Sequence, residues 1–165
     1  MPWYYFLRKS MLPAETAFLE KYKSSWLDRD ILDIGAGTGR TTRFFVPRAR
    51  RYVAIDDSPV MLNHLKKRMP EIDLRQMDFR DLSALADSSF DLVFAAANVI
   101  DALTHDGRLR ALRQSCRVLR PDGILAFSAH NLNYKDAFAE PQLRWYWNPV
   151  RLASKTAQRG CRSMH

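Results

Sequence analysis

The stretch ILDIGAGTGR, Ile31 to Arg40, constrains the fold more than any other part of the chain. It holds three of the six glycines, placed at alternate positions directly after an apolar run that contains Asp33. Glycine reaches positive φ and carries no side chain, so it permits a tight turn and lets a ligand approach the backbone. The apolar DILDIG reads as a buried strand. Gly39 to Val46 reads as a short helix stopped by Pro47. A glycine turn between a strand and a helix is a candidate cradle for a small molecule, and a tight turn without a ligand is the alternative reading.

The rest of the chain repeats the same alternation. PAETAFLEKYKSSWL (13–27) has helical character, with Pro13 suited to a first turn. RYVAID is a second strand. SPVMLNHLKKRM is a helix with Ser58 placed as its cap and Pro59 as its first residue. IDLRQM is a third strand, and FDLVFAAA a fourth, apolar enough to be buried on both faces. DGRLRALRQSCRVLRPDG is a helix with Leu109, Leu112, Cys116 and Leu119 on one stripe, and ILAFSAH is a fifth strand. Strands alternating with helices predict an α/β fold, a Rossmann-like three-layer sandwich around a mainly parallel sheet. Ligands of such sheets bind beyond the carboxyl ends of the strands, where the glycine turn lies.

Length and composition narrow the class. The 165 residues suffice for one domain with a core. No apolar run reaches the roughly 20 residues of a membrane span, and the aromatic N-terminus lacks the pattern of a signal peptide. Two cysteines, Cys116 and Cys161, suggest neither a disulfide framework nor a zinc site, so no metal is expected and the expected location is cytoplasmic. The net charge of +8 permits a phosphate-bearing or nucleic-acid partner, but the arginines are spread along the chain and read first as a solvated basic surface.

Three acidic residues give the cradle its chemistry. Asp33 ends the first strand. Asp56 ends the second, where a carboxylate can accept hydrogen bonds from both hydroxyls of a ribose. Asp78 follows the third, where it can accept from an adenine amino group while the next backbone N–H, at Phe79, donates to a ring nitrogen. A cluster of carboxylates suits a ligand with an amine and a sulfonium better than one with a pyrophosphate.

With these motifs in order, LDIGAGTGR, AIDDSPVML, MDFRDL, FDLVFAAANVIDAL and RVLRPDGILAFSAHN, the sequence resembles the class I S-adenosylmethionine-dependent methyltransferases over about residues 28 to 131. NVIDAL and FSAHN look most like bacterial small-molecule methyltransferases of the broad type 11/type 25 kind. The resemblance implies S-adenosylmethionine as cofactor and strand order 3-2-1-4-5. The last two strands of the family, which would extend it to 3-2-1-4-5-7-6, are not legible after Asn131. It implies one domain over 1–165: an N-terminal helical segment (1–29), a cofactor-binding core (30–131) and a basic aromatic tail (132–165).

The resemblance also implies roles. Gly35, Ala36, Gly37 and Gly39 pass under the methionine part of the cofactor. Asp33 holds that loop and orients the ammonium. Asp56 takes the ribose, with Asp57 and Met61 close to the adenosine, and Asp78 and Phe79 read the adenine. Ala95 and Ala96 present backbone beside the methionine moiety. On the acceptor side stand Asn98 and Asp101, in the loop after the fourth strand, and Tyr5 in the aromatic N-terminus. His130 is the candidate general base, needed only if the acceptor carries a proton that must leave.

The expected activity is methyl transfer to a small-molecule acceptor on oxygen or nitrogen, with basic residues near the aromatic patches favouring an anionic one. An RNA methyltransferase and a truncated, non-catalytic cofactor-binding domain are the alternatives. RNA is disfavoured because AAANVID lacks the Asn/Asp-Pro-Pro-aromatic signature of base amino methyltransferases. No membrane partner is expected. An exposed fifth strand would favour a homodimer through that edge.

Overall fold

The computed structural model describes residues 10–130. Tyr5 and the aromatic and basic tail 132–165 lie outside the described residues. Helix α1 spans Pro13–Lys21, with Pro13 in its first turn, and a short 3-10 turn follows at Lys23–Ser25. Strand β1 is Asp30–Ile34, helix α2 Thr42–Phe45, strand β2 Arg51–Asp56 and helix α3 Pro59–Arg68. Strand β3 is Asp73–Gln76 and strand β4 Phe90–Ala95. After a 3-10 turn at Val99–Ala102 come helix α4, His105–Val118, and strand β5, Leu119–Phe127. The five strands form one sheet in the order β3-β2-β1-β4-β5, with every neighbouring pair parallel.

The register assigns each strand residue to a face. Leu32 pairs with Val53 and Val93, while Asp33 pairs with Ala54 and Phe94. Because side chains alternate along a strand, Leu32, Val53 and Val93 share one face, where Ala111 and Val118 of α4 pack on them. Ile31, Leu92 and Phe94 share the other, under Leu19 of α1, Trp26 and Phe45 of α2. Leu65 of α3 packs with Ala54 on that same face. All five residues of β1 are buried, as expected of a strand covered by helices on both sides.

Two sequence expectations shift in detail. Helix α4 stops at Val118, and Leu119 to Pro121 begin β5 instead of finishing the helix, Leu119 pairing with Phe90. Pro121 disfavours the helical conformation at Arg120 and ends the helix early. The buried stripe of α4 is Gly107, Ala111, Ser115 and Val118, whereas Leu109 is 38% exposed.

At the amino ends of the strands, opposite the glycine turn, charge is neutralised locally. Asp30 accepts from Arg50 at 2.9 Å and Arg120 at 2.7 Å, and Asp91 pairs with Arg120 at 2.7 Å. The Arg50 hydrogen bond is the main reason that the Asp30 carboxyl is lowered to about 2. Several arginines of the basic chain thus serve to join strand ends.

Candidate functional site

The turn after β1 is held to β2 by its own backbone. The N–H groups of Gly35 and Ala36 both donate to the Ile55 carbonyl, at 2.9 and 3.1 Å, and Gly39 N–H closes back on the Ala36 carbonyl at 2.9 Å. Gly35, Gly37 and Gly39 all have positive φ, of 70°, 56° and 89°. Their surroundings differ. A Cβ on Gly35 would meet Val99 Cγ2 at 2.2 Å, and one on Gly39 would meet Leu65 Cδ1 at 2.4 Å. A Cβ on Gly37 would find nothing nearer than the Gly35 carbonyl oxygen at 3.9 Å. The outer two glycines therefore admit neighbouring side chains of the protein, whereas no side chain among the described residues crowds Gly37.

Asp56 lies where β2 ends, beside this turn. Its Oδ2 accepts from Gly37 N–H at 2.8 Å and its Oδ1 from Ser58 N–H at 2.9 Å. It is 8% exposed, and burial raises its pKa while the two backbone donors oppose the rise. A carboxylate has about four lone-pair sites, so two remain for a diol. Holding the loop, the duty expected of Asp33, thus falls to Asp56. A buried donor left without its acceptor costs about 1–3 kcal/mol. Asp56→Ala is expected to lower the unfolding free energy by about that amount, measured by urea denaturation, as well as to weaken ligand binding.

Asp33 belongs to a different network. Its Oδ2 accepts from Thr41 Oγ1 and from Tyr52 Oη, each at 2.5 Å, and Tyr52 Oη also lies 2.9 Å from Thr42 Oγ1. Its Oδ1 is buried and, among the described residues, has no hydrogen-bond partner. Burial pushes the Asp33 carboxyl up to about 6, against the two hydroxyl donors, and raises the Tyr52 phenol well above its ordinary value. Nearby, Arg40 makes a two-pronged ion pair with Glu15 of α1, one contact being 2.8 Å, and Glu15 also accepts the Leu12 N–H at 2.8 Å. Both side chains are largely buried, at 12% and 3% exposure. This pair ties α1 to the residue that ends the glycine turn.

The adenosine-side residues divide. Met61 is buried in the first turn of α3, which Ser58 caps by accepting the Met61 N–H at 3.4 Å. Asp57 is exposed, and its carbonyl accepts from Gln76 Nε2 at 3.4 Å. The Phe79 side chain is part of the core, which leaves its backbone for any contact with a base. Asp78 is clasped by Arg80, whose Nε lies 2.9 Å from Oδ1 and whose Nη2 lies 2.5 Å from Oδ2. That bond lowers the Asp78 pKa. An adenine amine would share the carboxylate with a guanidinium two residues away.

Beyond β4, Ala95 and Ala96 are buried, and the Ala95 carbonyl accepts the Ser128 N–H at 3.1 Å. Ala97 and Asn98 both have positive φ, 55° and 59°, an uncommon conformation for residues other than glycine. Asn98 and Asp101 both meet His130. Asp101 Oδ2 accepts the His130 backbone N–H and lies 2.7 Å from its Nδ1, and Asn98 Nδ2 lies 3.0 Å from its Nε2. The sequence brought these three to one neighbourhood but gave no sign that they bond to one another. Glu15, Arg40, Thr41 and Tyr52 were not foreseen. Their partners are 8 to 25 residues away along the chain, beyond the reach of any local motif.

Comparison with known proteins decides the family. The model of a family described as a methyltransferase domain matches residues 31–123, more than half of the chain. The chain belongs to this methyltransferase family. Among curated relatives, it is 38% identical over 104 residues to a malonyl-[acyl-carrier protein] O-methyltransferase of Halorhodospira halophila, covering 61% of this chain and 34% of the relative. It is 37% identical over 121 residues to the protein of the same name from Methylococcus capsulatus, covering 70% and 41%. The chain therefore spans well under half the length of these relatives. The crystal structure of an S-adenosylmethionine-dependent methyltransferase from Mesorhizobium loti superposes with a TM-score of 0.62 at 25% identity, covering 72% of this chain and 54% of that one.

The family implies S-adenosylmethionine as cofactor, and the residues present fit it. No side chain among the described residues crowds Gly37, so a ligand can approach the backbone there. Asp33 Oδ1 is buried and, among the described residues, has no hydrogen-bond partner, which leaves one carboxylate acceptor beside the turn for a cation. Asp56 keeps lone pairs for a diol while it holds Gly37. No helix among the described residues is long and apolar enough to cross a membrane.

Proposed function

We propose that the chain is the cofactor-binding part of an S-adenosylmethionine-dependent methyltransferase acting on a small-molecule acceptor, at oxygen or nitrogen. The observation that carries this reading is the contrast among the three glycines of the turn: a side chain of the protein crowds Gly35 and Gly39, and among the described residues none crowds Gly37. When bound, the cofactor supplies a methyl group on a positively charged sulfur that leaves as a neutral thioether. In this reading Asp33 orients the ammonium, the turn at Gly35 to Gly39 supports the methionine part, and Asp56 fixes the ribose. Alignment of acceptor and methyl group is then the main catalytic demand, and a displacement of about 1 Å can cost around 100-fold in rate.

The named relatives are malonyl-[acyl-carrier protein] O-methyltransferases, whose acceptor group is carried on a protein, and a structural neighbour is a sugar N-methyltransferase, so acceptors on oxygen and on nitrogen both occur among the proteins this chain resembles. The paired state of Arg50, Arg80, Arg117 and Arg120 supports a small acceptor over RNA, because these cations already have carboxylate partners. The test is transfer of labelled methyl groups to a panel of hydroxyl, carboxyl, amine and RNA acceptors. Label is expected in one or more small molecules. Label in RNA alone would replace this reading with the nucleic-acid one.

A further inference from the structure

The glycine turn is joined to the N-terminal helix by a buried cluster whose charges do not balance. Arg40, the residue after Gly39, gives both prongs of its guanidinium to Glu15 of α1, and the two side chains are only 12% and 3% exposed. Glu15 is fixed a second time by the Leu12 N–H at 2.8 Å. Thr41, next to Arg40 in the chain, donates to Asp33 Oδ2, and so does Tyr52 of β2, whose hydroxyl also meets Thr42. Asp33 is fully buried. Its partners are thus neutral hydroxyls, while the guanidinium beside it is spent on Glu15.

Asp33 feels both charges of that pair. Burial is the main cause that pushes its carboxyl up to about 6, and of its charged neighbours Arg40 lowers it and Glu15 raises it. Among the described residues, its Oδ1 has no hydrogen-bond partner. A guanidinium does not deprotonate in proteins, and breaking a buried ion pair leaves a charge whose desolvation is uncompensated. Arg40 deprived of Glu15 would therefore turn to the other buried carboxylate, Asp33, which has an oxygen to spare. Placed there, it would repel any second cation. With Glu15 present, the cluster has two carboxylates and one guanidinium, and an ionised Asp33 leaves it one positive charge short.

We propose that Glu15 is a positioning residue of the cofactor site: it holds Arg40 on α1 and so keeps that guanidinium from neutralising Asp33, which stays available to the ammonium of S-adenosylmethionine. This rests on the cofactor reading above. Helix α1 then does more than cover the sheet, because its packing sets the charge beside the glycine turn. The arrangement also discriminates among ligands. A ligand that brings a cation to Asp33 gains from the missing positive charge, and a nucleoside thioether without an amino-acid end does not. Glu15 is therefore a determinant of affinity for the amino-acid end of the cofactor and not for the ribose, which Asp56 serves.

The test is titration of the full chain with two ligands above pH 7, where Asp33 is ionised. S-adenosylhomocysteine carries the ammonium. 5′-Methylthioadenosine keeps the nucleoside and the thioether but lacks both the ammonium and the carboxylate. Glu15→Gln keeps the side chain's shape and an oxygen for the Leu12 N–H, and removes the charge. Shown to be folded by circular dichroism, it is expected to bind S-adenosylhomocysteine at least about tenfold more weakly than the parent, and 5′-methylthioadenosine within about twofold of it. Adding Arg40→Gln removes the competing cation and is expected to bring S-adenosylhomocysteine affinity back to within about threefold of the parent. Equal losses for the two ligands would make the ion pair a structural tie, and unchanged affinity in Glu15→Gln would make Arg40 indifferent to Asp33. A double variant as weak as the single one would assign Arg40 to the ligand instead. Each of these outcomes overturns the proposal. If Glu15→Gln does not fold, the double substitution, which strands neither charge of the pair, decides alone: affinity near the parent's supports the proposal, and a loss of about tenfold overturns it. Failure of the folded, unmodified chain to bind either ligand would instead refute the cofactor reading.

Discussion

Asp33→Asn is expected to make the ligand-free domain relatively more stable as pH rises, while removing most of its affinity for cofactor. Burial holds the Asp33 carboxyl near 6 against an ordinary value of 3.8. The native state therefore binds a proton that the unfolded chain has already released between those values. Stability from this group is full below about pH 4 and falls as pH rises towards 6, in total by on the order of 3 kcal/mol. Asparagine keeps a side-chain oxygen for Thr41 and Tyr52 but does not ionise. The stability difference between variant and parent should grow by on the order of 3 kcal/mol between pH 4 and pH 7, read from urea denaturation at each pH. A flat difference would mean that Asp33 ionises freely in the folded protein. Loss of a charged hydrogen bond to an ammonium costs about 1.5–3 kcal/mol, so affinity for S-adenosylmethionine above pH 7 should fall by at least about tenfold.

The glycines separate folding from binding. Gly35→Ala forces a Cβ to 2.2 Å from Val99 Cγ2 at a positive φ. Left-handed strain of about 1–2 kcal/mol combines with overpacking of about 1–3 kcal/mol, so this variant should be clearly destabilised. Gly37→Ala carries the strain but meets no atom closer than 3.9 Å, so it should lose only about 1–2 kcal/mol. Its methyl group occupies the space assigned to the ligand. Thermal melting of the two variants should therefore rank Gly35→Ala well below Gly37→Ala, while Gly37→Ala is the one that weakens binding from a folded state. Equal stability losses would remove the distinction between a packing glycine and a ligand glycine.

How much of this was legible depends on the range of the interaction. The five strands and the helix capped at Ser58 follow from apolar runs, turn residues and a cap that act within a few positions, whereas the strand order is what the resemblance to the class I methyltransferases implies, and the structure shows all of them. The glycine turn was legible as a cradle because its spacing is local. What was not legible is pairing at a distance. Tyr52 reaches Asp33 only because β1 and β2 lie side by side, and Glu15 finds Arg40 only once α1 is packed on the sheet. Asp33 bonds to Thr41 just after the turn and Asp56 to Gly37 within it, and which of the two holds Gly37 depends on the register of the two strands. The sequence offers Asp78 as an acceptor for an adenine amine, and its clasp by Arg80 two residues on is a feature the structure adds. The sequence puts Leu109 on the packed stripe of α4, whereas the buried stripe is Gly107, Ala111, Ser115 and Val118.

The most direct measurement is a calorimetric titration of the full chain and of Gly37→Ala with S-adenosylmethionine at pH 7.5. The unmodified chain should show one site with micromolar affinity, about −8 kcal/mol, and folded Gly37→Ala should bind at least about tenfold more weakly, a loss of about 1.4 kcal/mol or more. No binding by the folded, unmodified chain up to millimolar ligand, or equal affinity in the two proteins, would contradict the assignment of the space above Gly37 to the cofactor.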